Sequence, residues 1–289
     1  MTDAIVLSNV SKSYLDFSLS DISFSLPKGY IMGFIGPNGA GKTTTIKLIL
    51  NMIKRSGGRI NVFGLDNQKD ETEIKLHTGV VFDSHYFFEE WTVKEVGQVM
   101  ALFFSNWQPA LFERQVQQHQ LPLNKKVSQL SKGMQLKLML ACALSHDARL
   151  LILDEPTSGL DPVAREELLE LLTNFIQDGE RSVLFSTHIT SDLERIADFI
   201  TFIHEGRLIY TGTKDDFVSA FRLVKGGLED LSPEVKRDLI SFRTHSSGFE
   251  GLIHAEKIGL YPNLFAEDAT IDNIIVYTYK GSKTHESNH

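Results

Sequence analysis

Apolar and polar positions hold one rhythm up to about residue 30 and then change it repeatedly. Short alternating runs, Ile5-Val6-Leu7 and Ile22-Ser23-Phe24-Ser25-Leu26, end at Pro27-Lys28-Gly29; a period of two broken by turn residues predicts antiparallel strands. Tyr30-Ile31-Met32-Gly33-Phe34-Ile35 then runs without a charge and reads as a buried strand, while Thr44 to Ile53 has the composition of a helix. Gly57-Gly58 turns into Arg59-Ile60-Asn61-Val62-Phe63-Gly64. Residues 84–147 are expected to be mostly helical, with Pro109 and Pro122 as breakers. Strand and helix alternate again in Leu150-Leu151-Ile152-Leu153, in a helix from about Val163 to Gln177, and in Ser182-Val183-Leu184-Phe185-Ser186. Such alternation predicts an α/β domain with a mostly parallel sheet. An antiparallel β-subdomain precedes it and an α-helical subdomain is inserted at about 84–147. Phe199–Ile203 and Arg207–Tyr210, joined through Glu205-Gly206, predict a hairpin. The pattern weakens beyond Phe217, so a main domain is expected over 1–224 and a small C-terminal extension over 225–289.

Composition changes this picture little. The 289 residues suffice for one large domain or two small ones. The net charge of −8 argues against the broad electropositive footprint of non-specific nucleic-acid binding, so no nucleic-acid partner is expected. The opening Met1-Thr2-Asp3-Ala4-Ile5-Val6-Leu7 lacks the basic region and long apolar stretch of a secretory signal. No run approaches the roughly 18–20 apolar residues that span a bilayer. Cys142 is the single cysteine, which excludes an intramolecular disulfide and favours a reducing, cytoplasmic setting. Its apolar neighbours, Leu140 to Leu144, place it in a buried helix. The closing His285-Glu286-Ser287-Asn288-His289 is expected to be disordered, and its two histidines are a weak signal for a metal site.

Chemistry enters with Gly36-Pro37-Asn38-Gly39-Ala40-Gly41-Lys42-Thr43, which fits the phosphate-loop pattern G-x-x-x-x-G-K-[ST] at every specified position. The glycines let backbone N–H groups point at phosphates, Lys42 reaches the outer ones, and Thr43 offers a hydroxyl to Mg²⁺. Lying between a strand and a helix, the loop would set phosphate on the helix N-terminus. Asn38, Gly39, Ala40, Gly41, Lys42, Thr43 and Thr44 are therefore the expected phosphate contacts. Such loops serve many enzymes, so a second acidic motif is needed. Leu150-Leu151-Ile152-Leu153-Asp154-Glu155 supplies it: a buried strand presents Asp154 toward the Mg²⁺ shell, and Glu155 can polarise an attacking water.

Leu130-Ser131-Lys132-Gly133-Met134-Gln135 lies between these motifs, and Ser158-Gly159-Leu160-Asp161 and Ser186-Thr187-His188 follow them. In this order, over about residues 4–220, the set resembles the ATP-binding cassette family of P-loop NTPases. The resemblance makes Leu130–Gln135 the signature motif, with Lys132 where its commonest form has glycine. It makes Ser158–Asp161 the D-loop, His188 the switch histidine at the γ-phosphate, and Tyr14 the aromatic that stacks on adenine. It implies an ATPase with ATP and Mg²⁺ as cofactors and a second nucleotide-binding subunit facing it head to tail. ATP would lie between Lys42 of one copy and Ser131 and Gly133 of the other. Plainer readings stay open: Tyr14 as a strand aromatic, His188 as a loop histidine, and Ser131 as a helix N-cap.

The family usually places glutamine at the strand end after the phosphate-loop helix, in contact with Mg²⁺ and water. Here that segment reads Gly79-Val80-Val81-Phe82-Asp83-Ser84, so Asp83 takes the position as a metal ligand, or stands as a solvated loop acid. The aromatic stretch His85-Tyr86-Phe87-Phe88, Trp91, Phe103-Phe104 and Trp107 is expected to lie mainly in the helical core, with a few residues receiving a cytoplasmic helix of a separate integral membrane permease. Asp83, Phe104-Ser105-Asn106-Trp107, Leu121–Lys126 and Ala269–Tyr277 resemble the ABC-2-type exporter branch, and more narrowly exporters of antimicrobial or amphipathic peptides in Gram-positive bacteria. The resemblance thus implies a peripheral ATPase on the cytoplasmic face of the membrane that drives export. The alternatives are an importer ATPase, whose C-terminal domain would be longer and strand-rich, and a soluble ATPase acting on DNA or ribosomes.

Overall fold

The computed structural model describes residues 3–286. Part of the closing tail expected to be disordered, Ser287 to His289, lies outside them. The chain opens with β1 (Asp3–Ser13) and β2 (Ser18–Pro27), then β3 (Ile31–Ile35) enters α1 (Lys42–Ile49). β4 (Gly57–Val62), β5 (Leu65–Asp66), α2 (Glu71–Leu76) and β6 (Thr78–Val81) follow. The helical insertion holds α3 (Val93–Phe103), α4 (Pro109–Gln118) and α5 (Lys132–Leu144). After it come β7 (Leu150–Asp154), α6 (Pro162–Phe175), β8 (Ser182–Thr187), α7 (Thr190–Ile196), β9 (Phe199–His204) and β10 (Arg207–Thr213). The remainder forms α8 (Lys214–Ser219), β11 (Phe221–Gly226), α9 (Pro233–Asp238), β12 (Leu239–His245), β13 (Gly248–His254), β14 (Phe265–Asp268) and α10 (Ile271–Glu286).

These elements form two compact units. The first runs through Asp192 and adds Ile196–Thr211. Its antiparallel sheet has the order β2-β1-β4-β5, and its second sheet the order β10-β9-β3-β8-β7-β6. From β9 through β6 every pairing in that second sheet is parallel. β3, β7 and β8 are buried at every position, which explains why they read as unbroken apolar runs rather than alternating ones. A core including Ile5, Leu26, Phe34, Ile46, Ile60 and Ile152 joins the two sheets through α1. Gly79 keeps α5 close to β6, since a Cβ there would lie 2.6 Å from Leu151 Cδ2 and 2.9 Å from the Ala143 carbonyl.

The helical insertion departs from expectation in three ways. Residues 84–92 form no helix. Pro109 begins α4 rather than ending a helix, as suits a residue with no N–H to satisfy in the first turn. The aromatics are mostly not core: Phe87 is buried, but Tyr86, Phe88 and Phe103 are exposed, and Trp91, Phe104 and Trp107 are half-buried. Three short helices enclose too little volume to bury so many rings.

The second unit comprises Leu193–Arg195 and the chain from Gly212 onward. Its sheet has the order β12-β13-β11-β14, over a core of Val224, Val235, Leu239, Phe249, Ile253 and Leu264. The extension expected from residue 225 thus starts earlier. β11 is paired on both sides, and a boundary after 224 would cut it. Four strands form its sheet.

Candidate functional site

Parallel pairing brings the phosphate loop and both downstream motifs to one edge of the second sheet. β8 lies between β3 and β7, with Ile35 opposite Thr187 and Asp154 opposite Ser186. The loop after β3, the acids ending β7 and His188 after β8 therefore leave the sheet at the carboxyl ends of neighbouring strands, where open α/β sheets form their ligand crevices.

Asp154 is buried and has both oxygens engaged. The Thr43 hydroxyl donates to Oδ2 at 2.7 Å and the Ser186 hydroxyl to Oδ1 at 2.9 Å. Hydroxyl and carboxylate oxygens are hard donors that suit Mg²⁺. Among the described residues no group of three or more His, Cys, Asp or Glu side chains could hold a metal. A cation here would accordingly share its shell with nucleotide phosphates and water, as Mg²⁺ usually does.

Glu155 sits one residue beyond the strand, with φ +52°. This left-handed conformation is uncommon for a side chain of its size and is seen mostly where surrounding structure enforces it. Its N–H donates to the Ser186 carbonyl at 2.9 Å, which turns the carboxylate out of the strand direction. There Glu155 Oε2 lies 2.6 Å from His188 Nδ1 and accepts from the His188 N–H at 3.2 Å. Oε1 lies 3.3 Å from Lys42 Nζ. The Lys42 ammonium is buried and donates to the Gly36 carbonyl at 2.8 Å, so the lysine folds over its own loop. Lys42, Glu155 and His188 thus form one chain of polar contacts beside the Thr43–Asp154–Ser186 chain.

The remaining predicted residues lie apart from these two chains. Gly39 and Gly41 adopt positive φ, Asn38 and Gly39 are exposed, Ala40 is buried, and Thr44 follows Thr43 into α1. Tyr14 follows β1, half exposed, with the Lys12 ammonium 5.0 Å from its ring centroid. Ser131 is the N-cap of α5 and accepts from the Met134 N–H at 3.3 Å; Gly133 lies in that helix's first turn. Asp161 caps α6, accepting from Ala164 and Val163 N–H groups at 3.0 Å each. Those bonds, Ala164's foremost, hold its carboxyl below the usual aspartate range. Asp83 is exposed and its Oδ1 is held by Lys132 Nζ at 2.9 Å. Sequence reasoning overlooked Ser186 as a site residue. Its signal was available in principle, as a hydroxyl in an apolar strand just before the histidine.

Several hollows lie outside this edge. One of about 920 Å³ between α3 and α4, touching Gly97, Trp107, Phe112 and Leu121, includes none of the expected nucleotide contacts. A second of about 330 Å³ is bounded by Leu50, Val80 and Phe82 of the α/β part and by Tyr86, Met100 and Phe104 of the insertion. Among the described residues no helix is long and apolar enough to cross a membrane.

The sequence model of the ABC transporter family matches residues 19–158. The bacitracin transport ATP-binding protein BcrA of Bacillus licheniformis is 34% identical over 214 residues, covering 72% of this chain and 69% of that protein. The Nod factor export ATP-binding protein I of Rhizobium leguminosarum bv. viciae is 37% identical over 217 residues, covering 72% and 69%. The ABC transporter ATP-binding protein NatA of Bacillus subtilis (strain 168) is 30% identical over 239 residues, covering 75% and 93%. A solved ATP binding subunit of an ABC transporter superposes with a TM-score of 0.68 at 31% identity, over 74% of this chain and 91% of that one. With its phosphate loop, strand-end acids and histidine gathered on one sheet edge, the chain belongs to the ABC transporter family, as an ATP-binding subunit and an ATPase.

Proposed function

We propose that this chain powers a membrane exporter by hydrolysing ATP between two nucleotide-binding subunits that close head to tail. The gathering of Lys42, Thr43, Asp154, Glu155 and His188 at one sheet edge carries the reading. Export is supported by the relatives, one of which is named for Nod factor export.

In this reading Lys42 releases the Gly36 carbonyl and Glu155 when phosphate oxygens arrive, and the N–H groups from Asn38 to Thr44 receive the phosphates. Thr43 and Asp154 hold Mg²⁺, which when bound neutralises phosphate charge. Ser186 keeps the Asp154 carboxylate turned toward Thr43. Glu155 accepts a proton from the attacking water, and His188, held against Glu155, is directed at the γ-phosphate. Tyr14 stacks on adenine with Lys12 beside its ring. Ser131 and Gly133 serve the facing subunit's nucleotide through the amino end of α5, and Asp161 orders the turn entering α6. Because ATP then touches both subunits only when they are closed, it stabilises the closed pair by its differential affinity.

The partner is a separate integral membrane permease, and the ATPase lies peripherally on the cytoplasmic face of the membrane. The 330 Å³ groove supports docking of a short permease helix, since its walls belong to both the α/β part and the insertion. A shift of one against the other would move whatever sits there. Cargo, whether drug, peptide or lipid-like, is handled by the permease. The test is to purify Glu155→Gln protein with ATP and Mg²⁺ from its native membrane and identify what accompanies it. A polytopic membrane protein without an ATPase of its own, and without a solute-binding protein, supports export. Recovery of ribosomal or DNA-associated proteins alone would overturn it.

A further inference from the structure

Lys132 is the first residue of α5, set between Ser131 and Gly133. Its ammonium lies 2.9 Å from the Asp83 carboxylate, 49 residues earlier and two residues beyond β6. The same side chain lies along the turn that follows β7. A Cβ at Gly159 would stand 3.5 Å from Lys132 Nζ and 3.7 Å from its Cδ. A narrow crevice bounded by Phe82, Asp83, Lys132, Pro156 and Leu160 marks the same junction. One lysine therefore meets both segments that leave the paired strands β6 and β7, and the second of these carries Asp154 and Glu155 at its start.

The apolar contacts at this junction hold surfaces together without fixing direction. A charge-assisted hydrogen bond is directional. Both side chains of the pair are about half exposed, at 50% and 56%, so the pair adds little to global stability and its strength falls with salt. Its effect therefore belongs in the geometry of α5 rather than in the melting temperature.

We propose that Lys132 is a positioning residue for ATP hydrolysis. Paired with Asp83 and laid against Gly159, it holds the start of α5 in register with the edge that bears Glu155. It thereby sets where Ser131 and Gly133 stand toward the nucleotide of the facing subunit. The inference rests on the head-to-tail reading above, and it makes the Asp83 carboxylate a partner of Lys132 before it is a partner of any metal.

The experiment measures kcat and KM for ATP in the full-length chain with Mg²⁺, alongside melting temperature, for five variants. Lys132→Asp and Asp83→Lys each place like charges together and are expected to lower kcat several-fold, with KM nearly unchanged. The double exchange Asp83→Lys/Lys132→Asp restores the pair with reversed sign and is expected to recover most of kcat. Lys132→Arg keeps activity, whereas Lys132→Met, which keeps the stem and drops the charge, loses it several-fold. A double exchange no better than the weaker single variant, or equal activity of the Arg and Met variants, overturns the proposal. In parallel, Glu155→Gln protein is tested for ATP-dependent dimers. Without them the head-to-tail reading itself falls; with them, failure of the exchange removes only this inference.

Discussion

At Gly41 the backbone has φ +112°, and a Cβ would lie 2.5 Å from Leu19 Cδ2 and 3.0 Å from Phe17 Cζ. Gly41→Ala therefore meets both backbone strain and a clash. We expect it to cost about 1–3 kcal/mol in urea unfolding and to weaken ATP binding measured by calorimetry; an alanine variant with wild-type stability and affinity would show that the loop tolerates another shape. Lys42→Ala is expected to abolish ATP binding, because in the proposed site its buried ammonium is the cation that leaves the Gly36 carbonyl to meet the phosphates. Glu155→Gln should still bind ATP but hydrolyse it at least about a hundredfold more slowly. A glutamine variant with the parent rate would remove Glu155 as the base. These residues are legible in the sequence because a phosphate cradle demands particular backbone freedom at fixed spacing. Ser186 and the Asp83–Lys132 pair are not legible in that way. Only the parallel register brings Ser186 opposite Asp154, and only the passage of α5 beside β6 brings a lysine to an acid 49 residues away.

Helix starts are where local chemistry decides most, and α3 shows how. The Thr92 hydroxyl accepts from the Glu95 N–H at 3.2 Å, while Glu95 Oε2 accepts from the Thr92 N–H at 2.7 Å and from its hydroxyl at 2.8 Å. This reciprocal cap is written in the sequence as Thr92-Val93-Lys94-Glu95. Thr92→Ala is expected to destabilise the protein by about 1 kcal/mol in denaturant unfolding. The Thr92 N–H, then its hydroxyl, hold the Glu95 carboxyl below the ordinary glutamate range. A carboxyl depressed in the folded state contributes stability above its unfolded pKa and loses it as pH falls through the folded value. An NMR titration of Glu95 should accordingly find a midpoint below the ordinary glutamate value, moving up in Thr92→Ala; an ordinary midpoint in the parent would show the cap to be absent in solution. Other element boundaries resist such reading. Pro109 serves a helix start as readily as a stop, and Gly226-Gly227 looks like a domain boundary although β11, which ends at Gly226, is paired only with β13 and β14 from the chain that follows it.

For the molecule as a whole, the α/β order and the shared sheet edge follow from alternating strand and helix patterns, whereas the second unit does not. Its strands are stabilised by pairings between segments far apart, such as Arg222 with Asp268. The larger assembly is testable through Gly133. A Cβ there would have nothing within 4 Å, and the residue lies in the first turn of α5. The fold therefore gives no reason for glycine at this position, and an acidic residue near a helix N-terminus should leave stability unchanged or raise it by up to about 1 kcal/mol. If instead this turn faces the phosphates of a second subunit, a carboxylate there repels them. Gly133→Glu, placed in the Glu155→Gln background, should then melt no lower than its parent and still bind ATP. It should nevertheless fail to form the ATP-dependent dimer that the parent forms in analytical ultracentrifugation. In the otherwise native chain the same substitution should reduce hydrolysis about tenfold or more, a loss of over 1.4 kcal/mol in transition-state stabilisation. A Gly133→Glu protein that dimerises with ATP as its parent does would mean that the amino end of α5 does not face the partner's nucleotide, and the head-to-tail arrangement would have to be drawn through other residues.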